Sequence, residues 1–259
     1  MAPSMSASTR LDTLPPLSSL AVFLDIDGTL LEIAATPAAV RVEPEVTQLL
    51  ARLHAGTGGA LALISGRSVE QIDSLFRPLK LPAAGLHGFE RRDASGAYEQ
   101  RALPAAPTLE RARRALQDLA AGHPGVYVED KRFALALHYR SAPELGPMLA
   151  AAMAQIAAEV RPQLELQLGR MIAELRPSGS TKGEAVRTFM AEPPFEGRFP
   201  VFAGDDLTDE CAFEWVNSAG GLSVAVAVGR PTAARVHLPD VTAVRRWLAQ
   251  MCEGSSGGR

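Results

Sequence analysis

The sequence predicts an α/β fold in which a parallel-sheet core is interrupted by an inserted α+β unit. Three observations predict it. Apolar runs at residues 20–25, 60–65 and 199–204 suit buried strands, and each ends in polar or glycine residues. Helical patterns follow, at 69–76 after the second run and at 209–216 after the third, which is the strand-helix repeat of a parallel sheet. Between the second and third runs the rhythm changes. From Pro107 onward, helix and strand patterns come in the order α-β-β-α-β-β, with short connections suited to antiparallel pairs.

In chain order, residues 1–18 are rich in Ser, Pro, Ala and Thr and lack an apolar h-region, so a disordered leader is expected and not a signal peptide. The first strand runs into Asp25-Ile26-Asp27-Gly28-Thr29. The second ends at Ser65-Gly66-Arg67, just before a helix. Residues 90–101, with Asp93-Ala94-Ser95-Gly96 at their centre, predict a polar hairpin. The inserted unit is expected at 104–177, flanked by Pro104, Pro107 and Pro177: helix 109–121, strands 126–129 and 133–140, helix 144–160, strands 164–168 and 171–175. Alternation in its second strand puts Phe133, Leu135, Leu137 and Tyr139 on one face and Ala134, Ala136, His138 and Arg140 on the other. The core is therefore discontinuous, 19–103 and 178–252. It resumes with Lys182-Gly183 opening a helix at 184–190, continues through strands 199–204 and 222–228, and closes with an amphipathic helix at 242–251. Residues 253–259 have the composition of a flexible tail.

A chain of 259 residues, 47% of them hydrophobic, can bury a sizeable core. Its net charge of −3 gives no strong attraction to nucleic acid or acidic membrane, and no run reaches the roughly 18–20 apolar residues of a membrane-spanning helix. A small soluble substrate is expected. Cys211 and Cys252 stand in no disulfide or metal-ligand spacing, which fits a reducing cytoplasm. A monomer is expected.

Four sites carry chemistry. Two carboxylates at a strand end, Asp25 and Asp27, can be aimed at one ligand once Gly28 turns the chain, with Thr29 supplying a hydroxyl or amide; alone, the pair could be a charged strand end that caps a loop. Ser65 and Gly66, before a helix, could bind a phosphate oxygen or simply cap that helix. Lys182 in a first helical turn opposes the helix dipole, which marks an anion held by both. Gly204-Asp205-Asp206-Leu207-Thr208-Asp209-Glu210 puts four acids in six residues, a set of hard oxygen ligands suited to Mg²⁺, with Asp205 the better ligand and Asp206 or Thr208 a candidate cap. Together they describe phosphoryl transfer. Asp25 is the expected nucleophile, Asp27 the acid/base, and Lys182, Ser65 and Mg²⁺ neutralise the phosphoryl oxygens.

Asp25-Ile26-Asp27-Gly28-Thr29, Ser65, Lys182 and Gly204-Asp205-Asp206 resemble, in order, the four motifs of the haloacid dehalogenase superfamily of phosphatases. The resemblance spans most of residues 20–230. It implies a Rossmannoid parallel-sheet core and makes the inserted unit similar to that family's C2-type cap. More narrowly, Ser65-Gly66-Arg67, Gly85-Leu86-His87-Gly88-Phe89-Glu90, Val128-Glu129-Asp130-Lys131, His138-Tyr139-Arg140, Glu174-Leu175-Arg176-Pro177, Lys182-Gly183 and Gly204 to Glu210 are similar to trehalose-6-phosphate phosphatases. That resemblance implies hydrolysis of trehalose 6-phosphate, with Mg²⁺ on Asp25, the Asp27 backbone carbonyl and Asp205. Gly28, Thr29, Ser65, Gly66, Arg67, His87, Gly88 and Lys182 join Asp25 and Asp27 as substrate-binding residues by the same likeness. Glu129, Lys131, His138, Arg140, Arg170 and Glu174 would hold the sugar, and Asp206 and Asp209 would support the acidic site. Arg170 departs from the lysine expected there. Read without the resemblance, Glu129 and Lys131 could equally be a surface pair and His138 a half-buried core histidine. Rival functions are another sugar-phosphate phosphatase or phosphosugar mutase of the same superfamily, a sugar-phosphate sensor without turnover, and a receiver domain, whose compact sheet has no room for the insertion.

Overall fold

A computed structural model describes residues 14–34, 39–101, 104–131 and 134–254. The chain divides into two compact units, Met1–Glu99 with Thr181–Arg259, and Gln100–Ser180. In chain order the first unit opens with β1 (Leu20–Leu24), α1 (Pro44–Gly56), β2 (Leu61–Ile64), α2 (Val69–Leu75), β3 (Ala83–Gly85), β4 (Glu90–Arg92) and β5 (Tyr98–Gln100). The second unit holds α3 (Ala106–Ala121), β6 (Tyr127–Asp130), β7 (Leu135–His138), α4 (Gly146–Val160), β8 (Leu164–Gly169) and β9 (Ile172–Pro177). The first unit resumes with α5 (Lys182–Met190), β10 (Phe199–Gly204), α6 (Glu210–Ser218), β11 (Leu222–Val226), β12 (Val236–Leu238) and α7 (Val241–Gly254).

The large sheet has the order β12-β11-β10-β1-β2-β3-β4-β5. It is parallel from β12 through β3 and turns antiparallel at β4. Alternate residues of one strand feed two separate cores: Leu20, Val22 and Leu24 pack with Leu49, Leu50, Leu53, Val244 and Leu248, whereas Ala21 and Phe23 pack with Val186, Phe189, Phe213 and Val216. The sheet is thus covered on both faces, so its strands are apolar throughout and Leu20–Leu24 is buried at every position. From β1 the chain proceeds through β2 on one side and returns as β10 on the other. In such open sheets the ligand crevice lies where the order reverses, outside the carboxyl ends of the strands. Here that is the end of β1 and β10.

The inserted unit has its own sheet, β6-β7-β9-β8, antiparallel at every pairing. Leu135, Leu137, Ala173 and Leu175 share one core with α3 and α4 residues such as Leu109, Leu116, Leu149 and Met153. By register, Tyr127, Glu129, His138 and Glu174 occupy the opposite face. The expected alternation of the second strand is therefore present, although β7 is shorter than 133–140 and Phe133 lies outside the described residues.

Several expectations need correction. The leader was expected to reach residue 18, but Leu17–Ser19 form a 3₁₀ turn with Leu17 buried in the core; residues 1–13 lie outside the described residues. The tail was expected from 253, yet α7 continues to Gly254, and 255–259 are likewise outside. Residues 90–101 do form a hairpin about Asp93, but its first strand is buried: Arg91 bonds Glu192 and Glu99, and Arg92 bonds Asp73 and the Leu81 carbonyl. Ion pairing satisfies the polar groups that would otherwise forbid burial. Helix α1 is not among the expected elements, although Pro44 at its start and Val46, Leu49, Leu50 and Leu53 carry its signal.

Candidate active site

Asp25 stands at the carboxyl end of β1, buried, with its amide donating to the Ala203 carbonyl of β10 (2.9 Å). The chain then turns tightly: the amides of Leu30 and Leu31 both donate to the Ile26 carbonyl (2.9 Å each), and Gly28 donates to Leu31 (2.7 Å). Gly28 has φ +84°, and a Cβ there would lie 2.1 Å from Asp205 Oδ2. Only glycine permits this backbone and this approach together. The turn separates the two carboxylates. Asp25 faces Lys182, whereas Asp27 takes two parallel bonds of 2.6 Å from the Arg67 guanidinium. Neither is a loop cap.

Lys182 opens α5 after the Thr181 cap, and its buried ammonium lies 2.9 Å from Asp25 Oδ1 and 2.7 Å from Asp209 Oδ1. The anion that its placement against the helix dipole called for is this pair of carboxylates. Asp209 is fully buried, and its other oxygen accepts from the amides of Asp205 (3.0 Å) and Asp206 (2.9 Å). It fixes Lys182 and the loop after β10 at once. Asp206 caps the short turn Leu207–Asp209, accepting from the Leu207 amide. Of the two candidate caps, Asp206 serves.

Carboxylate oxygens of Asp25, Asp205 and Asp209 lie within 4.8 Å of one another. Asp205 Oδ1 is buried with no hydrogen-bond partner among the described residues. Both oxygens of Asp209 are engaged by Lys182 and backbone amides, so Asp25 and Asp205 are the side chains left to take a cation. Hard carboxylate oxygens with an orphaned buried acceptor fit Mg²⁺. Charge agrees. Burial, with Asp209 adding to it and Lys182 opposing, pushes the Asp25 carboxyl up to about 7. Burial and the charges of Asp25 and Asp209 push Asp205 up to about 9. Burial alone would lower Lys182, but Asp209 and Asp25 hold it above the ordinary lysine value.

Both acids lie above the usual carboxylate value of 3.8, so the folded, metal-free protein holds protons that the unfolded chain releases. Stability of the metal-free protein therefore falls as pH rises from about 4 through about 9. Mg²⁺ reverses this, because it takes the place of those protons. Thermal melts across this range check it: a larger Mg²⁺-induced rise at pH 8 than at pH 5 is expected, approaching about 2.7 kcal/mol at a hundredfold excess over Kd. A Mg²⁺ effect independent of pH would contradict it.

Ser65 follows β2, buried, and its Oγ accepts from the Arg67 amide (3.2 Å). It does not cap α2. Ser68 does, in a reciprocal capping box with Gln71. Leu86, His87 and Gly88 all have positive φ (48°, 57° and 98°), and this turn is bonded to the Ser65 loop through His87 N to Ser65 O (3.0 Å) and Leu86 N to Arg67 O (2.9 Å). A Cβ on Gly66 would lie 2.9 Å from His87 Nε2, so His87 packs directly on Gly66. Two consecutive non-glycine residues in the left-handed region are costly and persist only where surrounding bonds hold them. The Thr29 hydroxyl, also buried, has no hydrogen-bond partner among the described residues.

The other expected residues belong to the inserted unit. Glu129, Ala136 and Glu174 form one cross-strand row, so the two carboxylates flank an alanine on the same face. Glu129 bonds His138 Nε2 (2.8 Å), and Glu174, 3% exposed, receives Lys131 at 3.2 and 3.3 Å. The Glu129 and Lys131 side chains are both largely covered, so neither is a surface charge. Arg140 and Arg170 are exposed, Arg170 in the two-residue turn between β8 and β9. Two contacts escape sequence reasoning: the Arg67–Asp27 pair and the Tyr127 ring stacked on His138. A bidentate arginine partner for Asp27 has no local signal. Tyr127 could have been found from its place two residues before Glu129, on the same face of an alternating strand.

The family model described as trehalose-phosphatase matches residues 23–241. The chain is 44% identical over 235 residues to the trehalose-6-phosphate phosphatase of Escherichia coli, covering 90% of this chain and 87% of that one. It is 42% identical over 236 residues to the probable trehalose-phosphate phosphatase of Sinorhizobium fredii, covering 91% and 88%. Among solved structures, the C-terminal domain of the trehalose-6-phosphate phosphatase of C. albicans matches with a TM-score of 0.83 over 98% of both chains, at 23% identity, which speaks to the fold. With a parallel-sheet core, an antiparallel inserted unit and relatives this similar across nearly its whole length, the chain belongs to the trehalose-phosphatase family.

Proposed function

We propose that the chain is a Mg²⁺-dependent phosphatase that hydrolyses trehalose 6-phosphate to trehalose and phosphate, the last step of trehalose biosynthesis. The observation that carries this reading is a buried Asp25 held 2.9 Å from the Lys182 ammonium, in a chain 44% identical to a trehalose-6-phosphate phosphatase. Asp25 attacks phosphorus, the bond from phosphorus to the sugar oxygen breaks, and Asp27 delivers a proton to that oxygen. Water then attacks the aspartyl-phosphate, Asp27 takes its proton, and phosphate leaves Asp25 as it began. Arg67 holds Asp27 at the site through two parallel bonds, and one Asp27 oxygen leaves its bond to carry the proton in each transfer. Ser65, Gly66, Lys182 and the Gly28–Thr29 turn receive the phosphoryl oxygens, with Leu86 and His87 holding the Ser65 loop and Gly88 packed against Thr181. Asp25, the Asp27 carbonyl and Asp205 would hold Mg²⁺, which supplies positive charge to those oxygens. Asp206 and Asp209 keep Asp205 and Lys182 in place.

Glu129, Lys131, His138 and Glu174, with Arg140 and Arg170, supply charged and polar groups for a neutral disaccharide, whose hydroxyls are best fixed by strong directional bonds. The two free cysteines, Cys211 and Cys252, and the absence among the described residues of any helix long and apolar enough to cross a membrane agree with a cytoplasmic enzyme. We take it to be a monomer. Phosphate release from trehalose 6-phosphate, with and without Mg²⁺ and beside glucose 6-phosphate, tests this. Mg²⁺-dependent release with preference for the disaccharide is expected, and equal efficiency on glucose 6-phosphate would overturn the substrate.

A further inference from the structure

We propose that Tyr127 is a positioning residue for sugar recognition: its ring clamps His138, and His138 in turn holds the Glu129 carboxylate in its binding orientation. This rests on the reading above, in which the polar face of the inserted sheet takes the sugar.

Tyr127 and His138 are direct cross-strand partners between β6 and β7. Their rings are nearly parallel, 6° apart, with centroids separated by 4.6 Å. Directly opposed ring pairs of this kind stabilise each other beyond the area they cover. Yet Tyr127 takes no part in the apolar core of its unit and is 37% exposed. Core packing does not account for an aromatic ring here. Stacked on one side, the imidazole has its rotation fixed, and its Nε2 then donates to Glu129 along one direction at 2.8 Å.

The neighbouring carboxylate explains why such a clamp is placed where it is. Glu174 lies on β9, an inner strand, and Lys131, its side chain 7% exposed, holds it with both of its oxygens engaged. Glu129 lies on β6, an edge strand, and its side chain and that of His138 are more exposed than the Lys131–Glu174 pair. A glutamate held there by fewer bonds samples more rotamers and loses that freedom on binding each sugar. Fixing it beforehand removes that entropy from the binding step. The two carboxylates that flank Ala136 are thus locked by different devices, a buried ion pair and an aromatic-imidazole relay.

Steady-state kinetics on trehalose 6-phosphate with Tyr127→Ala, Tyr127→Phe, Glu129→Gln and the Tyr127→Ala/Glu129→Gln double variant test the relay. Tyr127→Ala is expected to raise KM about three- to tenfold with kcat within about twofold, the mark of lost binding without lost chemistry. Tyr127→Phe keeps the ring and should match the wild type. In the double variant, the rise in KM should fall well short of the product of the two single rises, because Tyr127 acts through the His138–Glu129 pair. An unchanged KM in Tyr127→Ala, a phenylalanine that fails to restore it, or effects that multiply in the double variant would each overturn the relay. A wild-type protein that does not turn over trehalose 6-phosphate would overturn the function as well, so the two failures are distinguishable.

Discussion

Asp25→Asn lowers hydrolysis of trehalose 6-phosphate by roughly 10⁴- to 10⁶-fold, the scale expected when a covalent nucleophile is removed. The amide cannot attack phosphorus, and no neighbouring group replaces it: Asp27 is bonded to Arg67, and Asp209 is enclosed by Lys182 and two backbone amides. The fold should survive. Burial already raises the Asp25 carboxyl to about 7, so the folded protein carries this charge at a cost, and the isosteric neutral side chain relieves its repulsion with Asp205 and Asp209. Metal-free Asp25→Asn is therefore expected to melt at or above the wild-type temperature at pH 8, where the wild-type carboxylate is ionised. Phosphate release and thermal melts check both halves. Turnover near the wild-type rate would end the nucleophile assignment, whereas loss of activity with a collapsed melt would show only that the variant misfolds.

Lys182→Met gives the largest expected loss of stability, about 3–5 kcal/mol, because removing one partner of a buried pair strands the other charge. Here two carboxylates are stranded, Asp25 and Asp209, with Asp205 close to both. Without the ammonium, which opposes the effect of burial, the Asp25 carboxyl is pushed further up, so the cost grows with pH and is smallest where it can take a proton. Urea denaturation at pH 5 and pH 8 measures it. Added Mg²⁺ is expected to recover part of the loss, and Asp209→Asn in the same chain should recover more, since it removes one stranded charge. Equal stability of Lys182→Met and wild type at pH 8 would mean that the acids do not depend on the lysine. Activity falls in the same variant, because the ammonium is the protein's own positive charge beside the nucleophile.

Much of the fold was legible because its signals are local. Apolar strands of four to six residues that end in acids, serine or glycine, and an inserted stretch with short antiparallel connections, need only near neighbours in the chain to be recognised. What escaped lacks a local signature. Strands Ala83–Gly85 and Val236–Leu238 are three residues long and show no usable alternation, and they exist because parallel neighbours bond them. Glu90, Arg91 and Arg92 look like a solvated hairpin until Val69, Glu192 and Asp73 are brought to them.

By itself the sequence determined the chemistry available: two acids at a strand end, a hydroxyl, a lysine against a helix dipole and an acidic loop, four oxygen- and charge-bearing sites that suit phosphoryl transfer. Residue type and spacing are enough for that, since reactivity begins with which groups are present. Only the tertiary structure decided how those groups are shared out. Strand order brought the ends of β1 and β10 together, so that Asp205 faces Gly28 and Asp25. Folding placed Arg67 on Asp27 across 40 residues and Asp209 on Lys182 across 27, and it stacked Tyr127 on His138 between strands. The physical reason is that a buried charge must find its partner in space, and pairing across a sheet is set by register and topology, which spacing along the chain does not encode.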